Sequence, residues 1–403
     1  MKRDIKDFIT YSMAQLFIII VSIAISSLWA RYTTKDEYGA YQLLLSFVGI
    51  FGIFSFPGLG LAMQISSANG KGGNLKLALF AKLRYSLIGS ISLLLLGFYY
   101  YFYKHDMLLA YLFIISAPIY PLYPLNSLWE NWLTGIRKIN RLSFYFIANS
   151  IISLCVTSFG LIFLNNIYIT VFLLFLSIGI LNTLIIGKTI KTSNTKIDKK
   201  DIRYGYIFSG AVVISMLSGL DKFVISEYIS LSDVAIYGVA MALVSKIKIL
   251  YIAINKLMAT SILRAKSIKE AWDYIKFRLI FIWLLFATVG FLGFFYIGDI
   301  ITIIFTNKYN QSIIYAKWLW LIFALFRPIF YLNHILQTQK RIKISYLVES
   351  INSVGKLLLF VLLLPLLHLW GIVYATLIAN VIITCVIATY FYINLKNEKI
   401  SDA

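Results

Sequence analysis

Long apolar runs separated by short polar stretches recur from one end of this chain to the other. Nearly uncharged windows fall at 8–30, 38–64, 85–103, 107–129, 142–164 and 168–187, and after a basic stretch at 204–226, 234–258, 279–298, 312–336, 344–366 and 369–392. A helix needs roughly 20 apolar residues to cross a bilayer, and each window is about that long. Within lipid the backbone must satisfy itself, so spans are helices or closed barrels. A barrel strand alternates apolar and polar residues over short runs, and these runs are continuous. The pattern predicts an all-α, polytopic membrane protein of about twelve transmembrane helices. Two uncharged stretches need dividing: 142–187 at Asn165-Asn166 and 357–395 at His368.

The connecting segments alternate in charge. One set holds Lys2, Arg3, Lys6; Lys71, Lys76, Lys82, Arg84; Arg137, Lys138, Arg141; Lys188, Lys191, Lys196, Lys199, Lys200, Arg203; Arg264, Lys266, Lys269, Lys276, Arg278; Lys340, Arg341, Lys343; and Lys396, Lys399. The other set holds only Arg31, Lys35, Lys104 and Lys308. Basic loops stay on the cytoplasmic side, so both termini are expected there. The first window is a retained helix rather than a signal peptide, since no small-residue cleavage site follows it.

Composition agrees. Of 403 residues 60% are hydrophobic and 13% charged, against roughly 25% charged in soluble proteins. The net charge of +20 would suggest nucleic acid on a soluble chain; here it is absorbed by the loops and by charges inside the spans. Cys155 and Cys385 lie in apolar runs and read as packing thiols. No metal-ligand spacing, no phosphate-binding loop and no extramembrane stretch large enough for a catalytic domain is present, and no cofactor is expected.

The halves repeat. Tyr32 and Tyr41 stand nine apart around Glu37, and Tyr228 and Tyr237 stand nine apart around Asp233. Lys82-Leu83-Arg84 and Lys276-Phe277-Arg278 enter corresponding windows, as do Arg141-Leu142-Ser143 and Lys343-Ile344-Ser345. The expected organisation is an N-terminal six-helix bundle (1–190), a basic cytoplasmic linker (191–203) and a C-terminal six-helix bundle (204–403). Six is even, so the bundles run in the same direction, related by an axis along the membrane normal. They would enclose a central cavity that rocking opens to either side, as in secondary transporters.

Seven bases fall inside windows: Lys222, Lys246, Lys248, Lys256, Lys317, Arg327 and Lys356. A base at the bilayer centre costs roughly 2.5–3.5 kcal/mol on insertion scales and normally faces a bundle interior or a wet cavity. Helical phase groups Ser245, Lys248, Asn255 and Lys256; Ser215, Ser218, Lys222 and Ser226; Lys317, Arg327, Tyr331 and His334; and Ser345, Glu349, Asn352, Ser353 and Lys356. Uncharged stripes run along the first window (Tyr11, Ser12, Gln15, Ser22, Ser26) and the fifth (Ser143, Ser150, Ser153, Thr157). Asp221, Glu349 and Glu130 are the acids of the spans, so the excess is positive and suits an anionic cargo. Lys222, Lys248, Arg327 and Lys356 are the candidate headgroup ligands. Asp221 and Glu349 serve either coupling or structure, and Lys246, Lys256 and Lys317 face either the lumen or an interface. All seven bases lie in the second half. Pro57, Pro118, Pro121 and Pro124 mark hinges or merely bent packing.

The stretch from Trp29-Ala30-Arg31 to Glu37-Tyr38-Gly39-Ala40-Tyr41, with Phe56-Pro57-Gly58-Leu59-Gly60, resembles the first hairpin of bacterial polysaccharide exporters. Gly219-Leu220-Asp221-Lys222-Phe223 with Ala235-Ile236-Tyr237 is similar to the start of their second half, and Gly371-Ile372-Val373-Tyr374-Ala375-Thr376 to their last helix. The resemblance is to Wzx-type flippases of the multidrug/oligosaccharidyl-lipid/polysaccharide exporter superfamily. It implies a non-enzymatic transporter of the bacterial inner membrane. Its expected cargo is an undecaprenyl-pyrophosphate-linked oligosaccharide repeat unit of O-antigen or capsule, as in lipopolysaccharide biosynthesis. Membrane lipid and the polysaccharide polymerase machinery are the expected partners, and nucleic acid is not. The alternatives are a drug or small-molecule antiporter of the same superfamily and a polymerase-type membrane enzyme. A cation exporter wants an acidic lumen, and a polymerase wants a large basic outer loop.

Overall fold

A computed structural model describes residues 2–248, 251, 254, 267–338 and 342–401. Among these the protein is helical throughout, with no strand. The helices are α1 (Lys2–Tyr32), α2 (Lys35–Phe51), α3 (Leu59–Ala68), α4 (Asn74–Phe102), α5 (Met107–Ser116), α6 (Asn126–Gly135), α7 (Ile139–Ser158), α8 (Ile167–Lys191) and α9 (Lys199–Met216). They continue as α10 (Asp221–Tyr228), α11 (Leu231–Val244), α12 (Ile268–Phe305), α13 (Asn310–Phe326), α14 (Phe330–Thr338), α15 (Ile342–Ser350), α16 (Lys356–Leu367) and α17 (Trp370–Ser401).

Nine described spans are long and apolar enough to cross a membrane, and eleven if two bent pairs each count as one. Every apolar window coincides with one of these spans or with a shorter apolar helix. The eighth window is represented by α11 and residues 245–248, 251 and 254; the rest of it, with Asn255 and Lys256, lies outside the described residues. The protein is therefore a multi-pass membrane protein. Its exterior agrees: on α12, Phe277, Phe281, Phe295 and Ile303 are each at least two-thirds exposed, while Ile275, Ile282 and Phe286 on the other face are buried. Such a surface is stable only where the solvent is itself apolar.

The contacts divide the chain into two compact units, Met1–Phe223 and Val224–Ala403. In the first unit, α1 runs along α7, α3 packs on α6, and α9 packs on α3. Close approach depends on missing side chains: a Cβ on Gly58 would collide with the Gly205 carbonyl and Ser209, so its backbone N–H can donate to Ser209 Oγ at 3.0 Å. Trp129 is fully buried here, donating from Nε1 to Asn182 Oδ1 at 3.0 Å. In the second unit α12 packs along α13, and Trp320 donates to the Val289 carbonyl at 2.9 Å.

The acidic residues of the repeat have a physical role. Thr34 and Glu37 form a reciprocal capping box at the start of α2. At the start of α11, Ser230 Oγ accepts from the Asp233 N–H at 3.1 Å. Both satisfy orphan donors at a helix N-terminus.

The stretch expected to be a linker is stitched to the loop before α4. Asn194 accepts from the Gly72 N–H (2.6 Å) and donates to the Gly70 carbonyl (2.8 Å); Asn74 exchanges two bonds with the Asp198 backbone, both at 2.9 Å; Ser66 donates to Asp201 (2.8 Å).

Candidate functional site

Helix breaks decide where polar side chains can be used, because a break releases backbone groups that a straight helix consumes. In the first unit the α2–α3 break passes through Phe56, at φ 50°, and then Pro57-Gly58. The α5–α6 break contains Pro121 and Pro124 and bends the span by 53°. In the second unit Arg327-Pro328 breaks α13 from α14, and a π-helical turn at Ile351–Gly355 separates α15 from α16.

Lys82 lies at the meeting of the two breaks of the first unit. It is 1% exposed, and its ammonium donates to the Pro124 carbonyl at 3.0 Å and to Ser55 Oγ at 3.4 Å. Glu130 on α6 lies within its electrostatic reach. This corrects the assignment of Lys82 to a polar loop and the expectation that the first half buries no base. The reason is length: α4 begins eleven residues before the apolar window does. A signal was available in the spacing. Leu75, Ala78, Lys82, Ser86, Gly89 and Ser90 form one helical stripe, all buried, while Arg84 is off it and exposed. A base on a stripe of small residues belongs to the packed face.

Lys222 lies at the end of the first unit. Its ammonium donates to Gln42 Oε1 at 2.6 Å, and its backbone N–H donates to Asp221 Oδ1 at 2.7 Å. Ser46 Oγ donates to the Gly219 carbonyl at 2.5 Å beside them, and the Phe223 ring meets Phe47 at 5.4 Å. Asp221-Lys222 is thus fastened to α2.

The second unit brings together three of the expected residues. The Arg327 guanidinium lies 4.8 Å from the ring centres of both Tyr251 and Phe330. Its Nε is buried with no hydrogen-bond partner among the described residues. Tyr331 donates to the Tyr251 carbonyl at 3.3 Å and packs its ring on Tyr251 at 4.9 Å. Glu349 lies within the field of both Lys248 and Arg327, and none of the described contact ion pairs involves it. The result is two cations, one acid and an aromatic wall, with a guanidinium donor to spare.

Lys356 immediately follows the π-helical turn, with its ammonium 5.5 Å from the Phe360 ring centre. That turn rotates the helix by roughly one residue relative to α-geometry, so Glu349 and Lys356 lose the phase that seven regular residues would give them. Lys317 leans on the Phe294 ring of α12 at 5.8 Å. Lys246 is half-buried just past α11. Several stripe hydroxyls are self-satisfied: Ser22, Ser26, Ser150, Ser153, Ser215 and Ser218 donate to carbonyls three or four residues back, as hydroxyls in apolar helices commonly do, whereas Ser143 and Thr157 of the fifth window are buried with no partner among the described residues.

No family model matches this chain, and no curated protein matches it. Solved structures do. The chain is similar to an inward-facing multidrug resistance MATE family transporter of the MOP superfamily, with a TM-score of 0.79 at 12% identity, covering 98% of this chain and 100% of that one. It is similar to the lipid II flippase MurJ in an inward closed conformation, with a TM-score of 0.69 at 15% identity, covering 97% and 91%. It is also similar to a MOP superfamily transporter from Pyrococcus furiosus Vc1 (DSM3638) described as having a binding pocket of reversed polarity, with a TM-score of 0.65 at 13% identity, covering 96% of each chain. The fold is that of MOP superfamily transporters.

Proposed function

We propose that this protein is a flippase for undecaprenyl-pyrophosphate-linked oligosaccharide repeat units of O-antigen or capsule. It works in the bacterial inner membrane with both termini cytoplasmic, by alternating access through a cationic lumen. The observation that carries the reading is the Arg327 cluster. A guanidinium matches phosphate oxygens with paired donors, and Arg327 keeps a buried donor unused among the described residues. Lys248 adds charge, and Tyr251 and Phe330 offer faces for a sugar or for the cation itself. Lys222 and Lys356 contribute further positive charge along the route. Glu349 offsets the two bases when no cargo is bound and is the candidate coupling group. The fold shared with a lipid II flippase supports a lipid-linked cargo.

The test is reconstitution in vesicles with a fluorescent undecaprenyl-pyrophosphate glycan, reading its accessibility on the far leaflet. Wild-type protein should raise the transbilayer rate, and Arg327→Gln with Lys248→Gln should remove the increase. No rate increase with the wild-type protein would sink the reading for that glycan. A second reading, export of a drug or small molecule, is favoured by the TM-score of 0.79 to a MATE chain. Transport of a lipophilic cation in the same vesicles, unaffected by the double substitution, would establish it instead.

A further inference from the structure

A separate cavity opens in the first unit where α6, α7 and α8 end or begin. It encloses about 290 Å³, near the lower limit of small-molecule pockets, so it suits a headgroup better than an oligosaccharide. Lys138, Arg141 and Lys188 line it with Thr192, and Trp132 and Tyr145 form an aromatic wall. No Asp or Glu lines it, and none of the described ion pairs involves these three bases.

Two of the bases stand where helix electrostatics disfavours them. Lys188 is in the last turn of α8, where a cation complements the helix's negative end. Lys138 and Arg141 instead flank the first turn of α7, the positive end, where a base gains nothing from the backbone. All three bases are exposed, so a phosphate entering the cavity reaches them directly. All three lie at the ends of apolar spans, Ile139–Phe163 and Ile167–Lys191. That is the depth of lipid phosphates, and Trp and Tyr favour the same layer.

We propose that this cavity binds the phosphate of an anionic phospholipid headgroup. The three bases neutralise the phosphate, and Trp132 and Tyr145 face the glycerol region. Basic pockets between spans recognise lipid headgroups in this way. The site is independent of the cargo assigned above.

The experiment is native mass spectrometry of the full-length chain in a neutral detergent. It is titrated separately with dioleoyl phosphatidylglycerol, dioleoyl phosphatidylcholine and inorganic phosphate. The triple variant Lys138→Gln, Arg141→Gln, Lys188→Gln is compared with Lys191→Gln, Lys199→Gln, Lys200→Gln, which removes equal charge from exposed positions outside the cavity. Phosphatidylglycerol should bind the wild type and the second variant alike and the first roughly a hundredfold more weakly, at about a fivefold loss for each of the three bases. Equal binding of phosphatidylcholine, equal loss in both variants, or no loss in the first would overturn the proposal. Inorganic phosphate binding as tightly as phosphatidylglycerol would replace it with a free-anion site.

Discussion

Each unit buries a cation beside a proline break, and the two are held in opposite ways. Lys82 of the first unit has a carbonyl, a hydroxyl and the field of a nearby acid, and its donors are engaged at 3.0 and 3.4 Å. Arg327 of the second unit rests on aromatic faces, also feels an acid, Glu349, and retains an unused Nε among the described residues. Positive charge at membrane depth therefore does not by itself identify a ligand site. A cation fully buried and hydrogen-bonded within its own unit is part of the scaffold, and one with a buried donor left over is available to cargo.

Substitutions at these two cations should separate the roles. Lys82→Met leaves the Pro124 carbonyl, Ser55 and Glu130 buried without their cation. It should destabilise the protein by about 3 kcal/mol, read as thermal unfolding in detergent, with little change in transport per folded molecule. A variant as stable as wild type would mean that Lys82 is not a structural bolt. Arg327→Gln should do the reverse, lowering glycan transport by about tenfold or more through the loss of charge-assisted bonds while leaving the unfolding midpoint close to wild type. Equal damage to both properties would erase the contrast.

Smaller effects sharpen it. Glu349→Gln removes an acid that lies in the field of Lys248 and Arg327, so it should tighten binding of a pyrophosphate headgroup severalfold, measured by isothermal titration with a soluble pyrophosphate analogue. Weaker binding would show that the carboxylate supports the cluster rather than opposing it. Gln42→Ala should cost only about 1 kcal/mol of stability, because Lys222 loses one neutral partner. A loss of transport much larger than that predicts would give the Lys222–Gln42 tether a part in the transport cycle.

The membrane architecture was legible in the sequence because lipid imposes long uncharged runs, and among the described residues the windows coincide with helices. The ends of those helices were not. A charge next to an apolar run reads as a loop, yet α4 continues for eleven residues past Tyr85 toward its N-terminus and carries Lys82 inward. The cluster of Lys248, Arg327 and Glu349 was legible through polar stripes, since one-sided polarity survives any small error in span limits. The phase between Glu349 and Lys356 was not, because no residue pattern announced the π-helical turn at Ile351–Gly355. Nor could periodicity find Gln42 for Lys222, a partner 180 residues away.

The stitching of residues 194–201 onto residues 66–74 has a practical consequence for genetic dissection. Cutting the gene after codon 190 would place Asn194, Asp198, Asp201 and all of α9 on the downstream fragment. Their hydrogen-bonding partners would remain upstream. The two polypeptides would then each present an unfinished surface during synthesis, and complementation between them would hinge on re-forming that seam.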